Sequence, residues 1–188
     1  ITGPITPIPD NLWKPATGKT PVSGNYVYLL SDSTDYIGAG GEYLYQGATD
    51  RIQVSNGSSL SVITGGWYAN FAKMNSIPQL TVGYYPDLKR YPFHNPAKGG
   101  LDWSGNGRGC NQLSGWFAVD KVKYVNNVLN EIELRFEQHC EGATPALRGK
   151  VYWSAQNPSI SPIKTLTTAE ELELAKQRAL LIRPIRRK

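Results

Sequence analysis

The sequence is poor in the residues that most often carry chemistry: it has two histidines, two cysteines and one methionine in 188 residues, and only 19% of its residues are charged. Each scarcity removes a class of function. His94 and His139 fall in no metal-ligand spacing and beside no serine or cysteine nucleophile, so zinc hydrolysis and Ser-His-Asp hydrolysis have no footing. No run approaches the roughly 18 apolar residues that a spanning helix needs, so no membrane span is expected. With few charges but 19 Gly, 13 Pro, 11 Tyr and 5 Trp, the composition describes short strands joined by tight turns rather than a helical bundle.

The net charge of +5 is concentrated at one end. Residues 161–188 hold seven basic and three acidic side chains, which leaves 13 basic against 12 acidic in the first 160 residues. A neutral body offers no basic face for phosphates, so no nucleic-acid partner is expected. The chain opens on Ile1 rather than Met, as expected of a processed exported chain or a trimmed one.

Residues 1–24 read as an extended arm, because Pro4, Pro7, Pro9, Pro15 and Pro21 remove backbone donors and favour polyproline geometry. Ile5, Ile8, Leu12 and Trp13 are too apolar for a solvated linker, so the arm is expected to lie on a surface, its own or a neighbour's. Strand signals then recur at 25–30, 42–46, 51–54, 60–64 and 67–72, separated by turn residues. The first of these, apolar on both faces, is expected inside a sheet covered on both sides. Residues 73–109 read as a long irregular segment and the first suspect for a site.

Downstream, Ile132, Leu134, Phe136 and Cys140 alternate with Glu131, Glu133, Arg135, Glu137 and His139, the period of a half-exposed strand. Leu113, Phe117 and Val119 alternate likewise, until the apolar phase slips to Val122 and Tyr124, which predicts a bulge near Asp120 and Lys121. Asn126 and Asn127 supply a hairpin turn, and that turn brings Cys110 and Cys140 together at the open end. A disulfide is the expectation, two buried thiols the alternative. It would place the chain in an oxidising compartment, extracellular or at a cell surface. Further on, Thr168 and Glu171 form a capping box ahead of a helix predicted over 169–181, which Pro184 ends before a basic tip. The fold class is therefore all-β: one antiparallel sandwich or jelly-roll-like domain over 25–154, an arm before it, and a linker, helix and tip over 155–188.

Four groups of side chains are candidates for chemistry. Glu137 and His139 share a strand face that Asp120 could join across the hairpin, an acid–base cluster or simply a solvated face. Asp32 and Asp35, with Glu42 nearby, have the hard oxygens calcium takes, yet aspartates are common in turns for local reasons. Tyr84, Tyr85, Tyr91 and Trp103, with Trp67, Phe93 and Trp116, flank Gly-rich or Pro-rich loops, as rings in a sugar groove would, or plug the ends of the fold. In GNGRG, Arg108 could hold a carboxylate, although the segment is a turn first. No pattern implies a cofactor.

The segments RYPFHNPAKGGLDWSGNGRGCNQLSGWF and LRFEQHCEGATPALRGKVYW, with SDSTDYIGAGGEYLY before them, resemble a family of β-rich domains in predicted secreted bacterial proteins that has no assigned activity. The resemblance covers about residues 24–154, implies a compact extracellular module, and transfers no catalytic residue. Two functions remain in view, neither enzymatic. The leading expectation is a structural subunit whose arm packs on copies of itself, into a homo-oligomer or filament, through Ile5, Ile8, Leu12 and Trp13. The alternative is a carbohydrate-binding or adhesive module using the aromatic loop at 84–103.

Overall fold

A computed structural model describes residues 5–157, in which the chain forms ten strands. These are β1 (Tyr26–Ser31), β2 (Glu42–Gln46), β3 (Gln53–Asn56), β4 (Leu60–Thr64), β5 (Trp67–Ala72), β6 (Gly83–Arg90), β7 (Gly100–Gly105), β8 (Leu113–Val125), β9 (Val128–Cys140) and β10 (Leu147–Ser154). Period-two patterning builds the centre. On β9, Ile132, Leu134 and Phe136 turn inward and are fully buried, while Glu131, Glu133 and Glu137 on the other face are half-buried and Arg135 among them is covered. The β8–β9 pairing shifts between Val119 and Lys121, which carries Asp120 past the register and returns Val122 opposite Ile132. Asn126 and Asn127 both take positive φ, 50° and 62°, at the turn. At the other end Leu113 pairs with Cys140, and Cys140 is joined to Cys110 across a Cα separation of 5.2 Å.

All ten strands share one hydrogen-bonded sheet, in the order β2-β1-β10-β9-β8-β6-β7-β5-β4-β3. The class is all-β, as the composition predicts, but the sheet is single and mixed rather than a pair of antiparallel sheets. The one parallel junction, between β6 and β7, spans only Lys89–Gly100 and Arg90–Leu101. Around it the sheet curls until its two arms face each other. Phe71 on β5 then meets Phe117 and Phe136 edge-on at 5.5 and 5.6 Å, and Trp103 on β7 stacks on Phe136 at 4.9 Å. At the rim Tyr43 lies against Trp67, whose Nε1 donates to the Tyr45 hydroxyl at 3.1 Å.

Because β6 and β7 overlap so briefly, both strands have backbone groups along the seam that no neighbouring strand can pair, and substitutes fill them. On the β7 side the buried Gln138 side chain acts as a piece of backbone: its Nε2 donates to Trp103 O at 2.7 Å, and its Oε1 accepts from Trp103 N at 2.9 Å. On the β6 side Tyr84 N donates to Thr6 O at 2.9 Å, an isolated bridge to the arm. Gly83 is required beside it, since a Cβ there would overlap the Ile5 side chain.

From Thr6 the arm crosses the outer face along one cross-strand row, Tyr84–Ala118–Arg135–Lys150–Tyr28. Trp13 O accepts from Arg135 Nη1 at 2.8 Å, the Trp13 ring stacks on Tyr28 at 6.4 Å, and Lys19 pairs with Glu42 at 2.8 Å. This is why β1 is apolar on both faces: one side meets the core and the other meets the arm.

One further sequence expectation needs correction. Residues 73–109 are not irregular throughout; they contain β6 and β7, which the pattern hid because Pro86 and Asp87, the latter at φ 54°, interrupt the register between Tyr85 and Leu88. Ile5, Ile8, Leu12 and Trp13 are half-buried on the chain's own sheet. The helix predicted over 169–181 and the basic tip lie outside the described residues.

Candidate functional site

The residues proposed for a sugar groove do not converge. Tyr85 and Trp103 are fully buried core side chains, because on β6 and β7 they share a face with Leu88 and Leu101. They can present nothing to a ligand. Tyr84 lies on the outer face beside Trp116, at 6.0 Å, next to the arm. Tyr91 stacks on His94 at 5.4 Å, and its hydroxyl lies 3.4 Å from Ser58 Oγ. Arg108 turns to the loop after β1, its Nε donating to Ile37 O at 2.7 Å and its guanidinium lying 5.8 Å over the Trp67 ring.

The residues between the buried rings are more telling. Strand alternation that sends Trp67, Ala69, Phe71, Leu101 and Trp103 inward sends Tyr68, Asn70, Asp102 and Ser104 outward. On the face of β3, β4, β5 and β7 they form two cross-strand rows, Gln53–Ile63–Tyr68–Ser104 and Ser55–Ser61–Asn70–Asp102. The arm covers the other half of the outer surface, from β6 to β1, and this half stays open, with Tyr68 56% exposed.

The polar groups of the open face are already oriented. Asn70 Oδ1 accepts from Ser59 Oγ at 3.0 Å and Ser61 Oγ at 3.4 Å, which leaves its amide donors for other partners. Across the row, Asp102 accepts from Ser104 Oγ at 2.9 Å, and Arg90 Nε stands 3.8 Å from its other oxygen. Burial pushes the Asp102 carboxyl above the ordinary range, against the Ser104 hydroxyl and the Arg90 charge, which pull it down. The Arg90 guanidinium also lies 5.5 Å over the ring of Phe93, which is 78% exposed. Tyr68, Asn70, Asp102, Arg90 and Phe93 thus form one connected surface of two open aromatic rings, an amide, a carboxylate and a guanidinium. In WYANFA the alternation of Tyr68 and Asn70 with buried neighbours marks this face, whereas LDWSG on β7 is too short to show it alone.

The other candidates resolve into structural partnerships. Asp32 accepts from Ala146 N at 2.9 Å and from Arg148 Nη1 at 2.7 Å, and the Arg148 hydrogen bond holds its carboxyl below the usual carboxylate range. Asp35 is buried in the following turn, accepting from Ser31 Oγ at 2.8 Å and Gly38 N at 2.7 Å. Glu42 is taken up by Lys19 and the Tyr28 hydroxyl, whose pKa burial and Glu42 push up to about 12. Among the described residues no three His, Cys, Asp or Glu side chains gather as a metal site. His139 Nε2 lies 3.3 Å from Glu137, which Arg148 also grips; Asp120 does not join them, because the bulge turns it to Arg135, which binds it through Nε and Nη2 at 2.7 Å each.

The fold and these surfaces define a disulfide-clamped, all-β domain with one covered and one open outer face. No family model, no curated protein and no solved structure matches the chain. No helix among the described residues is long and apolar enough to cross a membrane.

Proposed function

We propose that the chain is a non-enzymatic module of an oxidising, extracytoplasmic compartment that recognises carbohydrate through the open face of β3, β4, β5 and β7. The observation that carries the reading is the Asn70–Asp102 row beside Tyr68, continued through Arg90 to Phe93. A sugar ring has an apolar face, which stacks on tyrosine or phenylalanine, and hydroxyls, each a donor and an acceptor, which an amide and a carboxylate satisfy together. The short side chains of Ser61, Asn70, Asp102 and Ser104 are pre-oriented, so little rotamer freedom is lost on binding. The Cys110–Cys140 disulfide is consistent with the compartment. Within 84–103 this reading keeps Phe93, adds Arg90 and Asp102, and joins them to Tyr68 and Asn70 of β5 in place of the buried Tyr85 and Trp103.

A glycan array probed with the labelled protein tests the reading. Binding to neutral oligosaccharides that is lost in Asp102→Ala and weakened in Tyr68→Ala supports it. A blank array, or binding indifferent to both changes, sinks it.

A second reading, a structural subunit assembling through its arm, draws on the Thr6–Tyr84 bridge, since a strand-like contact at a seam is one that a second copy's arm can also make. Light scattering decides it. A polymer that becomes a monomer when residues 1–20 are removed favours assembly, and a monomer in the intact chain ends that proposal.

A further inference from the structure

A second site stands apart from the carbohydrate face, where the loops at 32–41, 106–112 and 141–146 meet at the disulfide. They are tied by Asp32 N donating to Ala146 O at 3.0 Å and Arg108 Nε to Ile37 O at 2.7 Å. Glu141 Oε1 accepts from Asn111 N at 2.6 Å and Gln112 N at 3.1 Å. Between the loops is a cavity of about 370 Å³ whose lining includes Asp35, Tyr36, Asn111, Cys140, Glu141 and Pro145.

The lining has two carboxylates and no lysine or arginine. The neighbouring arginines are engaged elsewhere, Arg108 over Trp67 and Arg148 between Asp32 and Glu137. Asp35 is 3% exposed; its Oδ2 serves the turn, while its Oδ1 is buried and has no hydrogen-bond partner. A folded chain rarely leaves a carboxylate oxygen dry and unpaired, and where it does a missing donor is the first explanation. Beside it the Tyr36 ring is 59% exposed, an aromatic face next to negative charge.

We propose that this cavity binds a small organic cation with a primary ammonium group, the ammonium donating to Asp35 Oδ1 and the alkyl chain lying against Tyr36 and Pro145. Two carboxylates and an aromatic ring favour a cation over any anion or neutral group, and the volume suits an alkylammonium of lysine side-chain size. Since Oδ1 is closed to solvent, a lining side chain must turn to admit the ammonium.

Titration of the intact protein with 1,5-diaminopentane, followed by calorimetry and by amide NMR shifts, tests the proposal, with 1,5-pentanediol as the neutral analogue of the same length. The expected result is saturable binding that moves the Tyr36 and Glu141 resonances, is absent with the diol, and weakens by about tenfold or more in Asp35→Asn. Tyr36→Ala, at an exposed position, leaves the fold intact and weakens binding severalfold, so the test stands even if Asp35→Asn fails to fold. Equal response to diamine and diol, wild-type affinity in Tyr36→Ala or in a folded Asp35→Asn, or no saturable shift would overturn it. None of these outcomes touches the carbohydrate face.

Discussion

Replacing Gln138 by methionine keeps the length of the side chain and removes both amide groups that stand in for a missing strand along β7. Gln138 and Trp103 are fully buried, so the Trp103 N–H and C=O lose their partners in a place water does not reach. Each unpaired buried group costs about 1–3 kcal/mol, so the pair costs about 2–6 kcal/mol. The added apolar surface of methionine returns about 1 kcal/mol. A net loss near 3 kcal/mol, at a urea m-value of about 2 kcal/mol/M, lowers the unfolding midpoint by roughly 1.5 M. Tryptophan fluorescence in a urea titration measures it, with Trp103 and Trp67 as core reporters. Gln138→Glu separates the two bonds, because a carboxylate still accepts from Trp103 N but has nothing to donate to Trp103 O. A midpoint shift under about 0.3 M for Gln138→Met would refute the surrogate-strand account of the seam.

Other perturbations test other parts of the structure. Burial raises the Asp102 pKa, so wild-type stability falls as pH rises from the unfolded value of 3.8 through the higher folded one. Asp102→Asn should therefore melt higher than wild type at pH 7 while losing glycan binding, with the gap closing below about pH 4; a lower melting temperature at pH 7 contradicts the assignment. Asp32 has the opposite sign: its folded pKa is depressed, so its contribution is present above 3.8 and lost as pH falls through the folded value. Arg148→Met should move the acid-unfolding midpoint to higher pH, and an unchanged midpoint would show the pair to be idle. Reduction of Cys110–Cys140 removes about 3–4 kcal/mol in the chain-entropy model. Hydrogen exchange should then rise first at 106–112 and 141–146, while β7 stays protected by Gln138, and a uniform rise argues against a local clamp. Trp13→Ala, removing a half-buried ring from Tyr28, should destabilise by about 1–2 kcal/mol and open residues 5–24 to limited proteolysis with the sheet intact.

The β8–β9 hairpin was legible in the sequence because every cue agreed: alternation on both strands, an apolar phase slip at the bulge, two asparagines at the turn and two cysteines at matching distances from it. β6 and β7 were not legible, since GYYPDLKR carries a proline and a positive-φ aspartate, and LDWSG is too short for a pattern to stand out. The brief parallel junction between them left no local trace. Its consequences, the Gln138 clasp and the Thr6 bridge, join residues 35 and 78 positions apart. The arm could be read as surface-seeking from its isoleucines and tryptophan, but not whose surface it sought. The aromatic count alone separates no inward from outward rings: with the strands of 83–105 unassigned, nothing in the sequence distinguishes the buried Tyr85 and Trp103 from the exposed Phe93.

Carbohydrate recognition by the open face, as proposed, is tested most directly by an aromatic NMR titration with neutral hexose and N-acetylhexosamine oligomers. The account predicts that the ring resonances of Tyr68 and Phe93 move with a common saturation curve while those of Tyr84 and Trp116 stay fixed, and that Asp102→Ala removes the response. If Tyr68 and Phe93 remain unmoved up to about 10 mM of every oligomer, a range that covers even weak millimolar binding, the account is contradicted.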